Sequence, residues 1–135
     1  MEILDSDANV FVYGEDIHFR INWNSKVDNG RLMVKAVVSS NDAEAVGVTY
    51  GGELKFGSGS NSEEFIFNTE CLVPGKYTTN FKLYNEDNNG NVVYYDQCKG
   101  IDFSIVHGSS SIHLRHWFAD WGKVVLPPMQ QIEQG

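Results

Sequence analysis

Residues Cys71 to Val106 read CLVPGKYTTNFKLYNEDNNGNVVYYDQCKGIDFSIV, and this stretch decides the fold. Pro74-Gly75 reads as a type II turn pair, because proline presets φ at the first corner and glycine accepts the positive φ of the second. From Tyr77 the side chains alternate: Tyr77, Thr79, Phe81 and Leu83 fall on one face, Thr78, Asn80, Lys82 and Tyr84 on the other. That period of two is the signature of a half-buried strand. Glu86 to Asn91 reverses the chain around Asn89-Gly90, a pair that tolerates positive φ and so favours a hairpin. Val92 to Gln97 returns alongside. Ile101 to Val106 reads as a further strand, with Ile101, Phe103 and Ile105 on one face. Three adjacent antiparallel strands with one apolar side require a second sheet to cover them.

The rest of the chain repeats the pattern. Residues 1–9 are polar and acidic and read as a lead-in or linker, followed by a short strand at Val10 to Tyr13 that Gly14 stops. Asp16 to Asn24 is the clearest strand: Ile17, Phe19, Ile21 and Trp23 point one way and His18, Arg20, Asn22 and Asn24 the other. After an Asn29-Gly30 reversal, Arg31 to Ser39 carries apolar residues on both faces, as a central, covered strand does. Val46, Val48 and Tyr50 mark a strand closed by Gly51-Gly52, and Gly57 to Ser62 reads as a flexible loop before a strand at Glu64 to Asn68. In Ser111 to Gly122, Leu114, Trp117, Phe118 and Trp121 fall at helical spacing, though an irregular aromatic loop fits them as well. Lys123 to Leu126 reads as a terminal strand ended by Pro127-Pro128, and residues 128–135 as a tail. About eight or nine short strands without a convincing helix make the chain all-β, an antiparallel β-sandwich of immunoglobulin-like or jelly-roll type spanning residues 10–127.

Composition narrows the partners. The 135 residues make one domain with room for a proper core. Ten basic against eighteen acidic side chains give a formal charge of −8, which disfavours nucleic acid and anionic membranes. A polyanionic glycan is also repelled unless a local basic patch outweighs that charge. No stretch approaches a membrane span, and the opening MEILDSDANV has neither a basic nor an apolar signal region. Cys71 and Cys98 fit no CxxC pattern; buried free thiols are the commoner fate in an intracellular chain, while an oxidising compartment would allow one disulfide.

The Pro-Gly turn, the strand ending in Leu83, the acidic Asn/Gly turn, the Tyr95-Asp96 strand and the closing Phe103-x-Ile105 strand together resemble a known family. It is the C-terminal, Wzt-type carbohydrate-binding domain of the ATP-binding subunit of polysaccharide ABC exporters, which serves O-antigen export. Gly122-Lys123-Val124-Val125-Leu126-Pro127 is similar to the Gly-x-Val-x-Leu-Pro ending of such domains, and the resemblance covers most of the chain. It implies recognition of a bacterial polysaccharide at its non-reducing terminus, at the cytoplasmic side of the membrane, with the transporter's nucleotide-binding and membrane subunits as partners. It also implies a homodimer in which the terminal strand is exchanged, so that Trp117 to Leu126 belongs to an interface. A nucleotide-binding domain would precede this segment, whose own sequence holds no Gly-rich phosphate loop with Lys-Ser or Lys-Thr.

Sugar recognition on a β-sandwich needs aromatic rings to stack on pyranose C–H faces and planar polar groups for the hydroxyls. The outward faces offer His18, Arg20 and Asn22, then Asn80, Lys82 and Tyr84, then Tyr94 and Asp96. These form one platform if their strands share a sheet; the bland reading is a solvated face of strand-favouring residues. Trp117 is a further candidate platform, although Trp117 and Trp121 more commonly plug a sandwich end or a subunit contact. His113 and His116, with His107 nearby, lack the companions of a metal site, and the acidic turn lacks the spacing of a calcium loop. No cofactor is called for. With no Gly-x-Ser-x-Gly elbow and no motif around either cysteine, the chain reads as a binding module and not an enzyme. Three alternatives remain open: a carbohydrate-binding module of a secreted glycanase, an immunoglobulin-like protein-binding or structural domain, and a sandwich enzyme with convergent acids.

Overall fold

A computed structural model describes residues 2–5 (backbone path only), 9–42, 44–107 and 122–132. Its elements are β1 (Glu2–Asp5), β2 (Val10–Val12), β3 (Asp16–Ser25), β4 (Gly30–Ser40), β5 (Ala45–Phe56), β6 (Gly59–Asn68), β7 (Gly75–Glu86) and β8 (Val92–Val106). They form a three-stranded sheet in the order β1-β3-β6 and a five-stranded sheet in the order β2-β8-β7-β4-β5. The fold is therefore the expected all-β sandwich, antiparallel throughout except where β2 runs parallel to β8. No helix among the described residues is long and apolar enough to cross a membrane.

Alternation read from the sequence matches burial where a strand lies flat on the core. Ile17, Ile21 and Trp23 of β3 face Tyr77, Phe81 and Leu83 of β7 across the sandwich, and all are buried. The core has two lobes. One gathers Phe11, Ile17, Val38, Leu72, Tyr77, Ile101, Phe103 and Ile105, the other Ile21, Trp23, Val34, Ala36, Leu54, Phe81 and Leu83. Phe19 packs against both lobes, stacking on Phe65 at 5.5 Å and tilting against Phe81 at 5.0 Å. Trp23 is core, as expected, although its indole N–H is buried without a partner among the described residues.

Several local expectations are corrected by long-range pairing. Residues 2–5, expected in an irregular lead-in, pair with β3 from Glu2↔Asn22 to Asp5↔Phe19. Gly75 has φ 157°, far from the roughly +80° of a type II corner, and is already the first residue of β7, paired with Ile105. The hairpin after β7 is a turn closed by Gly90 N–H to Asp87 C=O at 3.0 Å, with only Gly90 at positive φ; the Asp87 carboxylate accepts the Asn89 and Asn91 N–H groups. Gly51-Gly52 does not end its strand. Tyr50 pairs with Lys35 and Gly52 with Val34, so Gly51 is the extra residue of a bulge and β5 continues to Phe56. A Cβ at Gly51 would lie 2.6 Å from Val34 Cγ1, which explains the glycine.

The two strands expected at Val92 to Gln97 and Ile101 to Val106 are one strand, β8, because Lys99 to Asp102 forms a bulge and not a turn. Thr79 serves that bulge: its hydroxyl accepts the Ile101 N–H at 2.8 Å and donates to the Ile101 carbonyl at 3.0 Å. The Gly57 to Ser62 loop shortens to Gly57-Ser58, since β6 already pairs with β3 from Gly59. At the far end Lys123 to Leu126 gives a single bridge, Leu72↔Val124, with Val125 N–H on the Cys71 carbonyl, and not a full strand. Both cysteines are unpaired, Cys71 exposed and Cys98 half-buried. The aromatic segment 111–121, with His113, His116 and Trp117, lies outside the described residues.

Candidate functional site

The expected platform divides between two surfaces. His18, Arg20 and Asn22 belong to β3 in the three-stranded sheet, whereas Lys82, Tyr84 and Tyr94 belong to β7 and β8 in the five-stranded sheet. Their outward faces point away from each other across the core, so a single platform does not form. The reason is register: β3 pairs with β1 and β6, partners that alternation alone does not choose.

On the three-stranded face Arg20 is engaged by Glu64 across the β3–β6 pair, Nη2 to Oε1 at 2.5 Å. That bond is the chief cause holding the Glu64 carboxyl below the usual carboxylate range. Both side chains are exposed, so solvent screens the pair and it adds little to stability. His18 stands opposite Ile66, which is largely exposed, and Asn22 opposite Ser62. None of these side chains is aromatic apart from the imidazole.

The five-stranded face is richer, and its rungs follow directly from the pairing. Tyr50, Lys35, Lys82 and Gln97 form one rung across β5, β4, β7 and β8. Glu53, Met33, Tyr84 and Tyr94 form the next, and Val48, Val37, Asn80 and Lys99 the one on the other side. Tyr50 is 67% exposed and Tyr94 52%, with Tyr84 half-buried beside Tyr94 at 6.2 Å between ring centroids. Lys35 Nζ donates to the Tyr94 phenol oxygen at 2.8 Å and lies 4.9 Å from the Tyr84 ring centroid. Lys82 Nζ lies 5.1 Å from the Tyr94 centroid. An ammonium bonded to a phenol oxygen sits beside that ring, so the Lys35 contact with Tyr94 is best described as the hydrogen bond and that with Tyr84 as cation–π. The bond is the largest influence on both groups: it raises the Lys35 ammonium above its ordinary value and lowers the Tyr94 phenol.

Asp96 is not part of this cluster. Between Leu83 and Tyr84 the register of β8 slips by one residue, so Tyr94 pairs with outward Tyr84 while Asp96 pairs with inward Leu83. The bulge reverses the parity that made the two neighbours on one face. Lys35 and Tyr50, by contrast, join this cluster although alternation in the sequence does not single them out. The available signal was that Lys35 is the lone charge inside the apolar run Leu32 to Val38.

Chemically, the arrangement offers the exposed side chains of Tyr50 and Tyr94, the half-buried ring of Tyr84, two ammonium groups, and the amides of Asn80 and Gln97. Such a surface can stack on apolar ring faces and donate to oxygen acceptors. An apolar cavity of about 200 Å³ at the β5–β6 seam, bordered by Val46, Phe67, Leu72 and Val124, lacks the charged or amide groups for that. No group of three or more His, Cys, Asp or Glu among the described residues is arranged to hold a metal ion.

No protein-family model matches the chain, and no curated protein matches its sequence. Among solved structures, the crystal structure of the C-terminal domain of Wzt is similar to it with a TM-score of 0.67, over 97% of this chain and 80% of that one, at 11% identity. The resemblance read from the sequence thus holds in three dimensions, and the fold of this chain is that of the Wzt C-terminal domain.

Proposed function

We propose that this chain is a non-catalytic carbohydrate-binding domain that recognises a bacterial cell-surface polysaccharide of O-antigen type, at its non-reducing end, for export by an ABC transporter. The observation that carries the sugar reading is the cluster of Tyr50, Tyr84 and Tyr94 around Lys35 and Lys82 on the outward five-stranded face. Exposed tyrosines flanked by ammonium and amide donors are what a pyranose, apolar on its C–H faces and polar at its rim, requires. The export reading is supported by the fold shared with the Wzt C-terminal domain. In this reading the working partners are the transporter's nucleotide-binding and membrane subunits, at the cytoplasmic side of the membrane. A homodimer presenting two such faces would offset a weak single site through effective concentration, and exchange of the segment ending in Leu126 is the proposed route to it.

The site is assigned to Lys82, Tyr84 and Tyr94, with Lys35 and Tyr50 added; His18, Arg20 and Asn22 form a second, separate polar surface. Affinity electrophoresis tests this. The chain is run through gels containing the surface polysaccharide of its own bacterium, beside gels with an unrelated glycan. Retardation in the cognate gel, reduced by Tyr84→Ala or Tyr94→Ala and unaffected by Arg20→Ala, is the expected result. Equal mobility in both gels overturns the proposal.

A further inference from the structure

Lys35 and Lys82 are directly opposed on neighbouring strands of the five-stranded sheet. Like charges at such a position repel, because the side chains of a cross-strand pair leave the sheet only about 5 Å apart. Eighteen acidic side chains are available to this chain, yet neither lysine has a carboxylate within ion-pair distance among the described residues. Acidic residues of the same sheet are used elsewhere or stand on other rungs: Asp102 is held by Lys99 at 3.2 Å, Glu53 lies beyond Met33 at the β5 edge, and Asp96 is paired with inward Leu83. What surrounds the two ammonium groups instead is aromatic. Tyr94 accepts a hydrogen bond from Lys35 and presents its ring to Lys82, and Tyr84 presents its ring to Lys35. Each ammonium has three donors, and these contacts leave most of them free.

We propose that the Lys35–Lys82 pair is a seat for one anionic group of the ligand, so that the sugar recognised on this face is an acidic one bearing a carboxylate or a phosphate. An oxyanion placed between the two ammonium groups relieves their mutual repulsion and accepts a charge-assisted hydrogen bond from each. Tyr84, Tyr94 and Tyr50 then flank it with faces suited to the attached ring. The local pair of positive charges supplies what the overall charge of −8 denies, a point of attraction for an acidic glycan. This inference rests on the carbohydrate-binding reading above and narrows it to a ligand class.

The test is an NMR titration of the whole chain with four probes: glucuronic acid, glucose, mannose 6-phosphate and mannose. Glucuronic acid or mannose 6-phosphate is expected to shift the amides around Lys35, Lys82, Tyr84 and Tyr94, at least fivefold more tightly than its neutral counterpart, and which acid does so separates carboxylate from phosphate. The preference is expected to fade at high salt. Lys82→Met should weaken acidic-probe binding about fivefold, the upper range of an exposed charge pair. Because the same change removes a repulsion, its thermal midpoint should equal or exceed that of the parent, which separates lost binding from lost folding. Neutral and acidic probes binding this face equally, with Lys82→Met unaffected, overturns the anion seat while leaving carbohydrate binding intact. No shift with any of these sugars overturns the seat, and failure of the cognate polysaccharide as well overturns the carbohydrate reading with it.

Discussion

Lys35 of β4 donates to the phenol oxygen of Tyr94 on β8 at 2.8 Å, spanning the intervening strand β7. The bond stitches two strands that share no backbone ladder, and it gives Tyr94 a titration that reports on Lys35. The bond from Lys35 is the chief cause lowering the Tyr94 phenol from its ordinary value. Lys35→Met should therefore move the Tyr94 ionisation upward, read by ring-carbon NMR of the tyrosines across an alkaline titration. An unmoved Tyr94 would mean that the bond is not populated in solution.

Tyr77 predicts an alkaline weakness in the core. The side chain is 2% exposed, its hydroxyl donates to the Val73 carbonyl at 2.5 Å, and burial pushes its ionisation up to about 12. A phenol whose folded value exceeds its unfolded value near 10.0 favours the native state below that pH and loses the advantage as pH rises through the folded value. The loss between these limits amounts to about 3 kcal/mol. Tyr77→Phe should be less stable than the parent at neutral pH, by about 1 kcal/mol for the missing hydrogen bond. Its denaturation curves should then converge on or overtake those of the parent as pH climbs from about 10 to about 12. Parallel decline of the two proteins would contradict the assignment.

Gly100 is predicted to tolerate no side chain. A Cβ there would lie 2.2 Å from Thr79 Oγ1 and 2.4 Å from Phe81 Cε2, and Thr79 is fixed by its two bonds to Ile101. Gly100→Ala should cost about 2 kcal/mol, as overpacking does, seen as a fall of the thermal midpoint by several degrees. An unchanged midpoint would show that the bulge can open without cost.

These residues also show what could be read from the sequence and what could not. Alternation in β3 and β7 announced the inward sets, Ile17 to Trp23 and Tyr77 to Leu83, because both strands lie unbroken on the core. Gly51-Gly52 looked like a strand end and Cys98 to Gly100 fell between two expected strands, because a bulge interrupts the period of two with the same glycines that a turn uses. The candidate site was half legible. Lys82, Tyr84 and Tyr94 emerged from a hairpin, where pairing is local. Their partners Lys35 and Tyr50 come from β4 and β5, and His18, Arg20 and Asn22 were grouped with them only because sheet membership is decided by contacts distant in sequence. Asp96 was lost to a single slip of register.

The central claim, that this face binds glycan, is tested most directly by mapping amide chemical shifts while the chain is titrated with the surface polysaccharide of its source organism. Saturable shifts confined to the rungs of Tyr50, Lys35, Lys82 and Gln97 and of Tyr84 and Tyr94, with β3 and β6 silent, are the predicted result. Shifts confined to His18, Arg20 and Glu64, or none while the chain stays folded at millimolar glycan, would contradict it.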